Sequence, residues 1–282
     1  MAFEVLDSLS LPGDPAKPNE DAFAAEPFAS VVFDGATMVN DPIMPGRSDA
    51  AWIAQFGARR LLAHLREGIS PRAALRHALA DAQHSFEGLR RRPPQERYEI
   101  PCASMMLATP RDDGFDALWY GDCAALVLRP DGTWDIIGHA FDKKASESAD
   151  AARLAAERAM APVGALARAE FLPFFRASRN KLNMPGGTWL FSPMAEASEH
   201  VSRAAVAAPA GTLVILCTDG FLALASDYDV YDPRALVEIA ASRGLKALGE
   251  ELRAIEDGDP EGRKFPRFKK GDDATAVLLK VV

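Results

Sequence analysis

Residues 212–220 read Thr-Leu-Val-Ile-Leu-Cys-Thr-Asp-Gly, the most apolar strand candidate in the chain, and this run ends at an aspartate. The arrangement recurs, because short apolar runs also meet an Asp at 31–35, at 118–122 and at 272–278. Positions 20 and 21 form a fifth acidic site, Glu-Asp, just before an Ala-Phe pair. Runs of this kind predict buried strands with carboxylates at their ends.

Carboxylates gathered at the ends of buried strands would repel one another unless a cation lies between them. Hard divalent cations such as Mg²⁺ and Mn²⁺ prefer carboxylate, carbonyl and water oxygens. An Asp-Gly step, as at 34–35 and 219–220, also lets a backbone carbonyl approach an ion, because glycine has no Cβ. For any single site the alternative of ordinary turn chemistry stays open. Five acidic sites in one chain favour a metal centre.

The spacing of apolar residues predicts helices between the strands. From 49 to 66 they recur every three or four residues, and Ser48 is placed to cap that helix. A second helix begins at Ser70-Pro71 and ends before Pro93-Pro94. The other predicted helices are 147–160, 165–178, 233–242 and 245–256, and the predicted strands are 28–33, 101–109, 116–121, 123–129, 133–138, 188–191, 200–207, 212–217 and 274–282.

The order of these elements predicts an α+β fold. The four strands between 101 and 138 follow one another through short turns, which predicts antiparallel pairing. Helices come in groups before and after the strands rather than alternating with them, which favours antiparallel sheets with helices packed outside. Since no linker is long enough to separate two units, we expect one domain over residues 1–282.

Composition narrows the class of protein. The 282 residues carry 40 acidic and 32 basic side chains, a formal charge of −8, which argues against a partner such as nucleic acid or an anionic membrane. No apolar run approaches the roughly 20 residues of a membrane helix, and no signal peptide is visible at the N-terminus. The three cysteines lie in apolar surroundings, as expected for buried thiols in a reducing compartment. We therefore expect a cytoplasmic protein.

The acidic sites lie in five short motifs. They are Asn19-Glu20-Asp21-Ala22-Phe23, Val32-Phe33-Asp34-Gly35, Gly121-Asp122-Cys123, Cys217-Thr218-Asp219-Gly220-Phe221 and Gly271-Asp272-Asp273-Ala274-Thr275. In this order they resemble the motifs of the protein phosphatase 2C family, the metal-dependent serine/threonine phosphatases, and the chain resembles a divergent bacterial-type member. The resemblance runs from about residue 17 to the C-terminus. It implies a four-layer α-β-β-α sandwich, with two central, mainly antiparallel sheets flanked by helices.

The resemblance also implies a pair of tightly bound Mg²⁺ or Mn²⁺ ions. Asp34 resembles the carboxylate that bridges them, and the Gly35 carbonyl resembles a ligand of one ion. Asp219 and Asp272 resemble ligands of the other ion. Asp34, Asp219 and Asp272 are therefore the expected catalytic residues, and the implied attack on phosphorus comes from a water that bridges the two ions.

Three further acidic residues complete the implied metal centre. Glu20 and Asp21 resemble residues that hold water on the ions. Asp122 resembles the aspartate that, together with the equivalent of Asp219, binds a third and weaker ion in bacterial members. The full set of expected metal residues is Glu20, Asp21, Asp34, Gly35, Asp122, Asp219 and Asp272.

Two departures from the family pattern concern groups other than the metal residues. Members commonly carry a phosphate-binding Arg four residues before the Glu of the Glu-Asp pair, where this chain has Ala16. Lys17 and Arg47 are the candidates for that phosphate-binding charge, and solvated surface cations are the alternative. Eukaryotic members follow the Asp-Gly step with a His that serves as general acid, where this chain has Ala36-Thr37.

Two other segments carry open alternatives. Ser48-Asp49 lies shortly after the Asp34 turn, where Asp49 would add a carboxylate to the centre or serve only in helix capping. Residues 141–187 occupy the region that varies in the family and forms a flap, and we expect this flap to govern substrate access.

The resulting prediction is metal-dependent hydrolysis of phosphoserine and phosphothreonine in proteins, with substrates that come from a serine/threonine kinase pathway. The retained carboxylates favour this enzyme. The absent Arg and His favour the alternative, a catalytically weak or inactive regulator with the same fold that binds a phosphoprotein or another partner.

Overall fold

Two five-stranded sheets form the centre of the structure, a computed structural model that describes residues 1–141 and 171–282 together with Ala149, Arg153 and Val163. The strands are β1 Phe3–Leu11, β2 Asp21–Glu26, β3 Ala29–Gly35, β4 Ala103–Arg111, β5 Gly114–Tyr120, β6 Ala124–Leu128, β7 Trp134–Ile137, β8 Ser202–Ala207, β9 Leu213–Cys217 and β10 Ala274–Val281. Sheet I has the order β1-β10-β9-β6-β7 and sheet II the order β2-β3-β4-β5-β8. Every pair of neighbouring strands is antiparallel.

Alternation along the strands builds the core between the sheets. On β3, Val32 lies in the cluster between the two sheets, while Val31 and Phe33 lie in the cluster beneath the helices. On β9, Leu216 lies in the cluster between the two sheets, and Ile215 lies in the cluster beneath the helices. Because successive side chains of a strand point to opposite faces, strands that are apolar on both faces become buried central strands.

Helices cover the outer face of each sheet. They are α1 Asp49–Arg66, α2 Pro71–Leu89, α3 Leu172–Arg179, α4 Asp219–Ser226, α5 Pro233–Arg243 and α6 Leu245–Gly258, and short 3₁₀ turns lie at Arg97–Glu99 and Ala195–His200. Helices α1 and α2 share a buried cluster with sheet II, and α4 to α6 share one with sheet I. The predicted four-layer α-β-β-α sandwich is therefore confirmed.

The predicted start of α1 is also correct. Ser48 is its N-cap, and the Ser48 hydroxyl accepts a hydrogen bond from the backbone nitrogen of Ala51. This bond satisfies one of the free N–H groups at the helix start.

One predicted pairing is wrong, because β5 and β6 lie in different sheets although only three residues join them. The reason lies at Gly121, whose φ of +67° turns the chain in a way that favours glycine. A Cβ at Gly121 would lie 2.2 Å from the Ser104 hydroxyl oxygen, so the position also leaves no room for a side chain. The link therefore crosses from sheet II to sheet I, and Asp122 lies at the crossing point.

Other elements differ from the prediction. No strand forms at 188–191, where the described structure shows a single bridge in which Ala103 and Phe191 exchange two backbone hydrogen bonds of 2.9 and 3.0 Å. Strands β1 and β2 and helix α4 were not predicted. Helix α4 lacks an amphipathic pattern because every residue from Asp219 to Ala225 is buried.

Apart from Ala149 and Arg153, the predicted helix at 147–160 lies outside the described residues, as do residues 165–170 of the helix predicted at 165–178. Helix α3 covers the C-terminal half of that second helix. All three cysteines are buried, as expected. Among the described helices, none combines the length and apolar character needed to span a membrane.

Candidate metal centre

Three predicted metal ligands meet at the seam between the two sheets. Asp34 lies near the end of β3, Asp122 lies on the link from β5 to β6, and Asp219 is the first residue of α4. One carboxylate oxygen from each lies within 4.8 Å of the others. Asp122 and Asp219 are buried and Asp34 is half-buried. Oxygen-rich, water-poor sites of this kind suit a hard divalent cation.

Asp21 joins this group from β2, where its register partner on β3 is Asp34. The Asp21 side chain is buried, and its Oδ2 accepts a hydrogen bond of 2.8 Å from the Thr218 hydroxyl. Its Oδ1 is buried with no hydrogen-bond partner among the described residues. A buried carboxylate oxygen without a donor calls for an explanation, and a cation or the water on it would satisfy it.

Asp272 approaches the same place from the loop before β10. Its Cβ is 3.2 Å from the position that a Cβ on Gly220 would occupy, so the absence of a side chain at 220 lets the two segments touch. Asp273 has a different task, since its oxygens accept backbone hydrogen bonds from Gly13 (2.7 Å) and Glu20 (2.6 Å). We call Asp21, Asp34, Asp122, Asp219 and Asp272 the acidic centre.

The acidic centre carries an excess of negative charge. Burial raises the pKa of Asp34 well above its ordinary value, and the charges of Asp219, Asp21, Asp122 and Asp272 raise it further. Burial also raises the pKa of Asp21, with Asp273 as the next contribution, while the hydrogen bond from Thr218 lowers it. A divalent cation bound beside Asp34 and Asp21 would lower the pKa of both carboxyl groups, so both would be ionised and able to bind it. The carboxylate oxygens of the acidic centre therefore fit Mg²⁺ or Mn²⁺ as ligands.

Glu20 lies beside the acidic centre and is tightly anchored. Its Oε1 accepts a hydrogen bond of 2.5 Å from the Ser48 hydroxyl, and its Oε2 accepts one of 2.6 Å from the Thr37 hydroxyl. The backbone nitrogen of Gly35 donates to the Glu20 carbonyl at 3.0 Å. Both residues are thereby fixed next to Asp34, and their role at a shared metal site stays a prediction.

The two cations proposed for the missing phosphate-binding Arg lie on the surface. Lys17 is 75% exposed and its ammonium is 3.6 Å from Asp14. Arg47 is exposed and donates to the Ala16 carbonyl at 3.0 Å. These contacts are those of surface cations, and the phosphate-binding role of Lys17 and Arg47 stays a prediction.

Asp49 is not part of the acidic centre. It is buried, and its two oxygens accept hydrogen bonds from the backbone nitrogens of Ile43 (2.8 Å) and Met44 (3.1 Å). It therefore shapes the loop after β3, while its neighbour Ser48 both caps α1 and anchors Glu20.

Two cations that the sequence did not single out act on the acidic centre. The Lys269 ammonium lies 2.6 Å from Oδ1 of Asp272. Burial opposes its charge, but Asp272, Asp34 and Glu20 outweigh this effect and hold the pKa of Lys269 above its ordinary value. Arg179, on α3, donates to the Ala36 carbonyl at 3.2 Å. Burial lowers the pKa of Arg179, and the charges of Glu20 and Asp34 act in the opposite direction.

We expect Asp34→Asn to stabilise the chelator-treated chain at neutral pH. Because the pKa of Asp34 is raised in the folded state, the unfolded chain loses this proton first, and wild-type stability falls as pH rises from about 3.9 through the raised pKa. The variant escapes this loss, so its melting temperature should exceed that of the wild type by at least about 2–4 °C at pH 7, which corresponds to roughly 1 kcal/mol. The difference should vanish at pH 4.

Thermal unfolding followed by circular dichroism measures this effect. Asp112→Asn, at an exposed turn position, is the control. We expect this variant to change the melting temperature only slightly, and by the same amount at pH 4 and pH 7. A lower melting temperature for Asp34→Asn than for the wild type at pH 7 would show that the acidic centre carries no net repulsion.

Comparison with known proteins gives a consistent result. A family model described as protein phosphatase 2C matches residues 15–253. No curated protein matches the sequence. Solved structures with a similar fold include the Mycobacterium tuberculosis serine/threonine phosphatase PstP/Ppp, with a TM-score of 0.60 and 16% identity over 100% of this chain and 99% of that one.

Two other similar structures are the catalytic domain of PstP in complex with two manganese ions and PppA of Pseudomonas aeruginosa, described as a key regulatory component of T6SS. Their TM-scores are 0.56 and 0.55 and their identities 16% and 18%, and both alignments cover 100% of this chain and 99% of the other. At these identities the likeness concerns the fold. The family model, however, spans most of the sequence and includes four of the five acidic motifs, and the chain therefore belongs to the protein phosphatase 2C family.

Proposed function

We propose that this protein is a Mg²⁺- or Mn²⁺-dependent phosphatase that hydrolyses phosphoserine and phosphothreonine in proteins phosphorylated by a serine/threonine kinase. The observation that carries the proposal is the convergence of Asp34, Asp122 and Asp219 within 4.8 Å, beside the orphaned oxygen of Asp21. Membership of the protein phosphatase 2C family supports the same reaction class.

The proposed ligand sets divide the acidic centre. Asp34 and the Gly35 carbonyl would hold one of two tightly bound ions, and Asp34, Asp219 and Asp272 would hold the other. Asp122, which lies beside Asp219, contributes to a third and weaker site. When bound, such ions supply a nucleophilic water at neutral pH and neutralise charge on the phosphoryl oxygens.

The chain's own residues position these groups. The Thr218 hydroxyl orients Asp21, and the Ser104 hydroxyl donates to Oδ1 of Asp122. Glu20, which receives two hydroxyl hydrogen bonds, orients water at the edge of the centre. Fixing acceptors in this way means that little reorganisation accompanies the reaction, the usual source of electrostatic catalysis.

Arg179 is our proposal for the residue that binds the substrate phosphoryl group. It extends from the flap helix α3 to the Ala36 carbonyl, directly after the Asp34-Gly35 step. The charges of Glu20 and Asp34 raise the pKa of Arg179 against the effect of burial, so a positive charge lies near the acidic centre. Guanidinium groups bind phosphoryl oxygens well because their donors form a planar fork.

We expect Asp34→Asn, Asp219→Asn and Asp272→Asn each to lower Mn²⁺-dependent hydrolysis by about 10²-fold or more, since each removes a charge that positions the reacting groups. The assay measures release of phosphate from a phosphothreonine peptide and from an aryl phosphate, with Mn²⁺ and with chelator. Asp131→Asn is the matched control, because Asp131 also begins an Asp-Gly step but lies in an exposed turn.

Calorimetry with Mn²⁺ separates the two functional hypotheses. Ion binding without hydrolysis of either substrate would favour the alternative, a phosphatase-fold regulator. Absence of ion binding at millimolar Mn²⁺ would contradict the metal centre itself.

Ala36 leaves the position after Asp34-Gly35 without a general acid. Protonation of a leaving oxygen contributes about 10²–10⁴-fold to a rate, and a serine or threonine alkoxide needs it far more than an aryl oxide does. The wild type should therefore prefer aryl phosphates by a wide margin that Ala36→His narrows. Its pH–rate profile should rise toward alkaline pH without a falling limb. Equal rates on both substrates with a bell-shaped profile would reveal an acid elsewhere in the site.

Arg179→Met should lower kcat/KM on the phosphothreonine peptide by roughly 10- to 100-fold, the effect expected for losing a charged hydrogen bond. We expect most of this loss to appear as a higher KM rather than a lower kcat, and we expect inorganic phosphate to inhibit the variant more weakly than the wild type. Arg176→Met is the control, because Arg176 lies one turn earlier on α3 and donates to the Val39 carbonyl at 3.0 Å. Equal losses in the two variants would assign both arginines to flap packing alone.

A further inference from the structure

Lys269 places an ammonium group against the carboxylate of Asp272. Its Nζ is 2.6 Å from Oδ1 of Asp272, and the two side chains are 32% and 25% exposed. Oδ1 also accepts the backbone hydrogen bond of Asp273 at 2.9 Å. The carboxylate proposed as a metal ligand is thus already engaged by a cation of the chain itself.

The loop before β10 delivers this ammonium in a defined way. Arg267 pairs with Asp259 at 2.9 Å and donates to the Lys270 carbonyl at 2.9 Å, which fixes the backbone next to Lys269. On the other side, Arg253 donates to the Asp272 carbonyl at 2.7 Å. Both ends of the short segment from Lys269 to Asp272 are therefore held by arginines, so the ion pair is built into the loop.

We propose that Lys269 is a tethered cation that competes with the divalent metal for Asp272 and makes the site at Asp272 the weaker of the two tightly bound ion sites. The proposal rests on the metal centre of the proposed function and adds a regulator of its occupancy. Without the metal, Lys269 offsets part of the repulsion within the acidic centre. With metal present, an ammonium and a divalent cation on one carboxylate repel each other, so the ion binds Asp272 only as Lys269 withdraws.

Two features of the pair make the competition asymmetric. Lys269 contacts Asp272, whereas the oxygens of Asp34, Asp122 and Asp219 meet one another. Lysine also has a long, flexible side chain that exchanges protein contacts for water at small cost, and a third of it is already exposed. The ammonium is therefore displaced at high metal concentration and returns when the concentration falls.

The test is calorimetric titration of the chelator-treated full chain with Mn²⁺, a readout independent of hydrolysis. We expect Lys269→Met to tighten Mn²⁺ binding at the weaker of the two tightly bound sites, the one at Asp272, by about tenfold or more, because a competing charge has been removed. Lys269→Arg keeps a cation and should bind as the wild type does. Lys270→Met, which removes an exposed ammonium paired with Asp257 at 2.7 Å, should also leave both affinities unchanged.

A double variant locates the effect at Asp272. In an Asp272→Asn background, adding Lys269→Met should change Mn²⁺ affinity by less than about twofold, since the carboxylate for which the cations compete is gone. Lys269→Gln repeats the measurement with a side chain that keeps a hydrogen bond to Asp272, in case the methionine variant folds poorly. Circular dichroism of each variant confirms folding.

The outcomes separate this inference from the proposed function. Unchanged or weaker Mn²⁺ binding in Lys269→Met and Lys269→Gln would overturn the competition and leave the phosphatase proposal standing. Tightening of equal size in the Asp272→Asn background would also overturn it. Wild-type chain that binds no Mn²⁺ would overturn the metal centre and the competition together.

Discussion

Repulsion among buried carboxylates is the constraint on which the rest of this structure depends. Five aspartates lie at the seam of two sheets, and burial together with mutual repulsion raises the pKa of Asp34 and Asp21. The chain offsets the cost locally with hydroxyl donors such as Thr218 and with the cations Lys269 and Arg179. A cluster of like charges that destabilises the folded state in this way points to a cationic ligand whose binding stabilises it.

Much of the fold was predictable because the local patterns agree with the tertiary structure. Strands apolar on both faces, such as β9, became central strands, and Ser48 caps α1 as its position indicated. The failures occur where local pattern carries no information. Helix α4 is buried all round and has no periodicity to detect, and the link at Gly121 crosses between sheets although its length is typical of a hairpin.

In the candidate site, the sequence indicates the positions of the acidic residues but not those of the basic ones. The carboxylates were predictable because each follows or precedes an apolar strand, and strands of one sandwich end at a common seam. The cations were not, because a side chain that reaches the centre from a distant loop leaves no local signal. Lys17 and Arg47 lie close in sequence to the acidic motifs, whereas Arg179 and Lys269 lie on helix α3 and on the loop before β10.

The acidic centre draws its residues from both sheets and from the link that joins them. Asp21 and Asp34 belong to sheet II, Asp219 and Asp272 adjoin the strands β9 and β10 of sheet I, and Asp122 lies between. An ion bound among these residues would link segments that are far apart along the chain, and it would stabilise the folded state because it binds the native arrangement and not the unfolded chain. Under the proposed function, the carboxylates of the acidic centre would then have a second effect besides the chemistry: with the ion bound, they would cross-link the two sheets and add to the hydrophobic core between them.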